Sequence, residues 1–374
     1  MIVKLKDVVS RVNNNIDRFN TDIEYYLGKG HGECGEIAIT ERGNLKKDVG
    51  MLGFKFHFAF EPGDSLFFSR SFALRKAGMA MYTGICSDST YILRTKDINV
   101  LLPDYLPAII QSDVIWEYCD THHTGGVNFL INWSTLADYE FELPTIAEQK
   151  VLADKLWAAY RLKESYKKLL VATQEMVKSQ YIEMFGLPNN SKFPTRNLGA
   201  VCRIKSGTSF PIELERDKGD IPYSKVADMN LKGNEVYMRN ASRYVDVEVA
   251  KDLYLPSGAT IFPKRGAAIH TNKKRILVRN TCVDLNVIGV IPSGELDPIY
   301  LYWYFRCTNL SDISDNSGIP QINNKHLIPL SIGIPPMDLQ QQFVEIANQA
   351  DKSEFELRKS IESIDAVIKS LINS

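Results

Sequence analysis

Apolar and polar positions alternate along this chain with two periods, and each period is written twice. From residue 144 onward the apolar positions advance in steps of four and three, at Leu152, Leu156, Ala159, Tyr166, Leu170, Thr173, Val177 and Met184. Phe343, Ala347, Ala350, Leu357, Ile361, Ile364 and Ile368 stand 191 residues after the first seven, and Leu371 closes the second series. The spacing is that of a coiled-coil seam, and two seams in one register weigh more than either alone. Pro144 and Pro335 precede the two patterns. Thr145 and Glu148 form a T-x-x-E capping box at the first helix start, and Asp338 and Gln341 are expected to do the same at the second. The first helix is expected to stop at "FGLP", with Gly186 as a left-handed cap and Pro188 preventing continuation. Each helix is then roughly 36 to 40 residues long, on the order of 55–60 Å.

Both seams are interrupted once, by Lys163 and by Glu354, again 191 residues apart. In an antiparallel pair related by a pseudo-dyad both lie near the crossing point. A Lys163–Glu354 contact is therefore expected to fix the register, against the alternative that both side chains reach out to water.

The segments ahead of the helices carry the other period. Short β-rich runs such as "SLFF", "TYILR", "ATIFP" and "NVIGVI", broken by Gly, Pro and Asn, predict a sheet in each half. These runs also echo one another. "PGDSLFFSR" matches "PSGATIFPKR" and brings Arg70 onto Arg265; "GICSDSTYIL" matches "NTCVDLNVIG" and brings Cys86 and Asp88 onto Cys282 and Asp284; "PDYLPAII" matches "DPIYLYWYF". The last of these predicts a short buried helix with Asp297 as cap and Pro298 at its first position. The expected fold class is α+β: two similar domains, each a mixed sheet with short helices and each followed by a long helix, the helices forming an antiparallel coiled coil with pseudo-twofold symmetry. The expected boundaries are 1–143, 144–187, 188–334 and 335–374.

Composition narrows the classes without choosing among them. The 374 residues carry 44 Lys and Arg against 45 Asp and Glu, a net charge of −1, which argues against a generally basic coat but permits a local basic face. The beginning of the chain has no signal-type apolar core and nowhere do 18 apolar residues run together, so no membrane partner is expected and a cytoplasmic location is. Six cysteines without a C-x-x-C pair read as reduced thiols.

The duplicated order resembles that of type I restriction-modification specificity subunits. The resemblance rests on "LPTIAEQKVLADKL" and "IPPMDLQQQFVEIA" at the helix entries, on "PGDSLFFSR" and "SGATIFPKRGAAI", and on "GDIPYSKVADM", and it spans essentially the whole chain. Two departures stand out: Leu339 replaces the common glutamate before Gln340, and the first half has no clear counterpart of "GDIPYSKVADM". The resemblance implies two target-recognition domains spaced by helices and a bipartite double-stranded DNA target. It also implies two methyltransferase subunits and two motor-nuclease restriction subunits as partners. The chain itself is then a non-catalytic reader that binds no cofactor, S-adenosylmethionine, ATP and Mg being expected on the partner subunits.

Candidate DNA contacts follow from the basic runs. "KRGAAIHTNKKRILVR" contains no acidic residue and offers Lys264, Arg265, His270, Asn272, Lys273, Lys274 and Arg275; the corresponding "RSFALRK" offers Arg70, Arg75 and Lys76. Such loops can neutralise phosphates and present Arg, His and Asn to base edges. Tyr223 and Lys225 are further candidates, although "IPY" also reads as a buried strand. A basic run is commonly plain surface, but recurrence at one place in two modules favours a contact.

Enzyme motifs fare poorly. "GHGECG" fits G-x-G-x-x-G but leads into a strand and a turn instead of a helix. "DPIY" is similar to the D-P-P-Y tetrapeptide of amino-methyltransferases but has Ile299 at the third position. His122 and His123 are expected in an extended strand, pointing apart, and no metal ligand set is expected. Two rivals stay open: a methyltransferase or nuclease in its own right, and a coiled-coil scaffold that reads no DNA. Charge reversal at Lys273, Lys274 and Arg275 is expected to separate a reader from a scaffold.

Overall fold

The computed structural model describes all residues except 71–73, 126–128 and 316. It divides into two units, Met1–Lys168 with Arg358–Ser374, and Leu169–Leu357. Two long helices, α1 (Ile146–Phe185) and α2 (Met337–Ile372), each contribute one portion to each unit. Among the described residues no helix is long and apolar enough to cross a membrane.

The first unit is built on a five-stranded sheet. Its strands in chain order are β1 (Val9–Val12), β2 (Ala38–Ile39), β3 (Ser65–Phe68), β4 (Ala77–Ala80) and β5 (Thr90–Thr95), arranged β1-β5-β3-β4-β2. The pairs β1/β5, β5/β3 and β3/β4 are antiparallel, and β4/β2 is parallel. In β3 all four residues are buried because both faces of the sheet are covered. Phe67 stacks on Trp116 at 5.0 Å on one face, while Leu66 and Phe68 join Phe60 and Tyr82 on the other.

The second unit repeats this sheet strand for strand. β6 (Cys202–Ser206), β7 (Tyr237–Met238), β8 (Thr260–Pro263), β9 (Arg275–Leu277) and β10 (Val287–Pro292) are arranged β6-β10-β8-β9-β7, again with one parallel pair, β9/β7. Even the faults recur: Ser65 Oγ and Thr260 Oγ1, at the heads of β3 and β8, are both buried without a hydrogen-bond partner. The missing counterpart of "GDIPYSKVADM" also exists. Tyr25–Leu27 pairs in parallel with Gly84–Ser87, matching Leu27 to Cys86, as Ile221–Ser224 pairs with Cys282–Val283, matching Tyr223 to Cys282. Cys86 and Cys282 are wholly buried packing residues, and burial pushes both thiols up, that of Cys282 to about 11. Asp297 caps the helix Pro298–Arg306 as expected, its Oδ1 accepting from Ile299 N at 2.7 Å.

Several local expectations need correction. His122 ends the helix Asp113–His122 and stacks on Tyr118 one turn earlier at 4.1 Å, so it is not on a strand. Thr145 and Glu148 do form the capping box at the head of α1. The residue 191 positions after Thr145 is Pro336, however, so Asp338 lies inside the first turn of α2 and is not its cap. Gly186 adopts φ 86° after α1, and a Cβ there would meet Asn190 O at 2.4 Å.

The seam residues Lys163 and Glu354 are buried, which excludes the solvated reading, but each is satisfied inside its own unit. Lys163 Nζ binds Glu36 and Asp365, and Gln174 Nε2 donates to Glu354 Oε2 at 2.9 Å. Burial pulls the Lys163 ammonium down, and the hydrogen bonds to Asp365 and Glu36 outweigh it and hold its pKa above the usual lysine value. The geometry explains the change of partner. Lys163 is level with Asp365, which lies eleven residues beyond Glu354 on α2, about 16 Å along the axis. Glu354 stands 191 residues after Lys163 and Asp365 stands 191 after Gln174, so the two contacts are images of one another under the repeat.

The head of each long helix holds the most complete duplication. Gln149 and Gln340 are both fully buried. Gln149 Oε1 accepts from Leu102 N, and its Nε2 donates to Val100 O and Pro144 O, all at 2.9 Å. Gln340 accepts from Asp297 N at 2.8 Å and donates to Glu295 O and Pro335 O at 2.9 Å. Each amide thus ties its helix to the segment entering the short helix of its own domain. Gln340→Ala strands a buried N–H and two carbonyls, and is expected to destabilise the second unit by about 2–4 kcal/mol. Urea unfolding followed at the second unit's tryptophan, Trp303, should move to a lower midpoint, with Gln340→Glu retaining part of the stability.

Candidate nucleic-acid interface

The candidate site begins where β3 and β8 end. Arg70 lies two residues beyond β3 and Arg265 two beyond β8, and both are exposed. The backbone of each is clamped by a returning segment: Arg70 bridges to Leu130 and Arg265 to Gln321. Ile131 N donates to Ser69 O at 3.0 Å and Ile322 N to Lys264 O at 2.9 Å, one residue before each arginine. Two flexible side chains are therefore carried on matched, rigid backbone. Lys264 turns back instead, its Nζ donating to Ser206 Oγ at 3.0 Å, and burial followed by the Arg265 charge lowers its pKa.

The connections from β3 to β4 and from β8 to β9 carry the remaining basic candidates, and here much of the run turns inward. Ser71, Phe72 and Ala73 of "RSFALRK" lie outside the described residues. Arg75 and Asn272 occupy the same place, four residues before Met79 and Ile276 of the paired strands, and both are left-handed, with φ 45° and 55°. Asn272 suits that conformation; Arg75 does not, and is held by an ion pair from Nη1 to Asp113 Oδ1 at 2.6 Å. Asn272 Oδ1 is occupied, accepting from Lys274 Nζ at 2.7 Å and Leu310 N at 2.9 Å. Lys76 donates to the carbonyls of Lys29 and His31 at 3.1 and 3.3 Å, and Lys273, its counterpart, reaches Asn230 Oδ1. His270 is exposed and meets Ser311 Oγ at 3.1 Å.

Lys274 and Arg275 are structural. Lys274 is 1% exposed and donates to Thr308 O at 2.7 Å as well as to Asn272; burial, then the nearby Arg306, brings its pKa down to about 7. Arg275 is 8% exposed and donates to Lys274 O and Met229 O at 2.7 and 2.9 Å, leaving its Nε unpartnered. β9 places both inside the second unit, so charge reversal at Lys273, Lys274 and Arg275 would test folding and not DNA binding. Tyr223 is 2% exposed with its hydroxyl on Thr208 O at 3.2 Å, and burial pushes its pKa up to about 12. "IPY" is the buried strand. Lys225 is held at 2.7 Å by Glu215.

The comparisons bear on this geometry. Residues 190–364 match the family model of the type I restriction modification DNA specificity domain. That stretch of the second half is thus similar to a type I specificity domain. Among curated proteins no sequence matches. Among solved structures, a chain reported under the structural basis of complex assembly and conformational transition of the type I R-M system is 14% identical, with 100% of this chain and 96% of that chain covered and a TM-score of 0.59. The type I restriction-modification S subunit from M. genitalium is also 14% identical, with 100% and 94% covered and a TM-score of 0.56. At such identity the two structures establish the fold alone, over the whole length of the chain. The resemblance to a type I specificity subunit and the α+β fold class are borne out. Within the matched stretch, Arg265 and His270 are the exposed ones among the seven candidates drawn from the basic run.

Sequence reasoning missed Glu36, the partner of Lys163 127 residues away, for which no local signal exists. It also missed the role of Gln149 and Gln340, although their shared offset of 191 was a usable signal.

The buried Lys274 makes a pH prediction. Its pKa is depressed in the fold, so the unfolded chain binds the extra proton above about pH 7, and stability rises with pH from there toward the unfolded lysine pKa. Between pH 7 and about 8.5, below the range where unfolded thiols ionise, urea midpoints should climb for the parent chain. Lys274→Met should flatten that climb.

Proposed function

We propose that the chain is the non-catalytic DNA-recognition subunit of a type I restriction-modification assembly. In this reading each target-recognition domain reads one half of a bipartite double-stranded target. The observation that carries it is the matched placement of Arg70 and Arg265 at the ends of β3 and β8, on equivalently clamped backbone in two domains of the same strand order. A duplicated reader suits a target made of two half-sites. An exposed arginine on a rigid backbone suits bidentate recognition of guanine or phosphate. The specificity domain and the likeness of fold over the full length support the same reading.

Two methyltransferase subunits and two restriction subunits complete the proposed complex, and S-adenosylmethionine, ATP and Mg act on those partners. The near-neutral charge of this chain suits a reader that shares its grip on DNA with them. Cytoplasmic DNA is the proposed substrate.

The test is a methylation map. Co-expressed with its methyltransferase partner in a methylation-free host, the chain should generate a bipartite N6-methyladenine motif that is absent with the partner alone. A confirmed complex that yields no motif would overturn the reading in favour of a scaffold. Arg70→Ala should relax or lose one half of the motif and Arg265→Ala the other, each by about 5- to 150-fold in discrimination if it reads a base. Equal loss of both halves from either variant would contradict independent half-site reading.

A further inference from the structure

A second recurrent cationic place lies at the opposite end of each main sheet. β4 runs antiparallel to β3, and β9 to β8, so the end that carries Arg70 or Arg265 is not the end at which β4 and β9 finish. At that far end the two strands of each parallel pair, β2/β4 and β7/β9, are tied together just beyond their last residues. In the first unit Tyr82 Oη donates to Glu41 O at 2.8 Å, and in the second Arg279 Nη2 donates to Arg239 O at 3.1 Å.

An exposed arginine sits on each tie. Arg42 lies 4.0 Å above the ring of Tyr25 and 5.4 Å from that of Tyr82; Arg239 lies 5.4 Å from the ring of Tyr237, with Arg279 beside it. A guanidinium stacked on tyrosine is oriented, and its N–H groups remain free to fork onto an oxyanion. The acidic groups nearby are Glu41, exposed beside Arg42, and Asp351, which accepts from Tyr237 Oη at 2.6 Å, is raised in pKa by burial and faces Arg239.

We infer that Arg42 in the first unit, and Arg239 with Arg279 in the second, are sequence-independent contacts to the phosphates of duplex DNA. The inference rests on the DNA-recognition reading above. Strand register sets Arg42 nine positions from Arg70 and Arg239 seven positions from Arg265, about 30 and 23 Å along the strands, within one turn of a duplex, about 34 Å. The two ends of each sheet can therefore meet the base edges and the backbone of one duplex. Stacked arginine on a strand end carries no base-edge register, so it positions without specifying.

The experiment is fluorescence anisotropy of the full chain, co-purified with its methyltransferase partner, on a labelled random-sequence duplex across a salt series, with methylation mapping in parallel. Arg42→Gln/Arg239→Gln/Arg279→Gln should weaken binding by about tenfold or more and lower the log–log salt slope by about two to three, with the methylation motif unchanged. The matching Arg→Lys set should restore the slope, which separates lost charge from lost folding. Unchanged affinity and slope, with the parent binding normally, would overturn the phosphate contacts and leave the recognition reading intact. A parent that shows neither salt-dependent duplex binding nor a motif would overturn both.

Discussion

Everything in this chain hangs on two buried glutamines. Gln149 and Gln340, themselves fully buried, each satisfy their amide by one accepted and two donated hydrogen bonds to backbone. A buried amide with all partners in place is directional in a way that apolar packing is not. It sets the angle and phase at which a rod of 40 or 36 residues leaves its domain. The aromatic packing that follows, Trp157 and Tyr160 in one unit and Tyr181, Phe185 and Phe343 in the other, depends on that phase.

The polar layers along the helices then do what apolar seam residues cannot. Lys163 with Glu36 and Asp365, and Gln174 with Glu354, are repeat images in which the charges have been reassigned. A helix that slipped by one turn would leave Lys163 buried without its carboxylates, an arrangement whose cost exceeds the gain of most apolar contacts. Register is thus held by penalty as much as by attraction.

The two domains illustrate how duplication separates scaffold from surface. The strand order, the parallel pair, the Cys86 and Cys282 strands and even the unpartnered hydroxyls of Ser65 and Thr260 are retained. The connections that follow β3 and β8 share a left-handed position but not its chemistry. The same left-handed position holds Arg75 in one domain and Asn272 in the other. A common frame whose strand ends carry different side chains is what two different half-sites would require.

The long helices, the capping box of the first and the repeated modules were legible in the sequence because periodicity and offset are one-dimensional properties. Leu152 to Ile368, Gly186, Asp297 and the pairing of Arg70 with Arg265 could all be read by counting. What counting could not supply was the depth of each basic side chain. "KKR" looks uniformly exposed as a string, yet β9 begins inside it, so Lys273 stays near the surface while Lys274 and Arg275 turn into the second unit. Partner choice was equally hidden. Lys163 met Glu36 and Asp365 because an antiparallel register and a loop residue 127 positions away decide which carboxylate is level with it. Local pattern determines which elements form; only the packing of those elements decides which charges reach water.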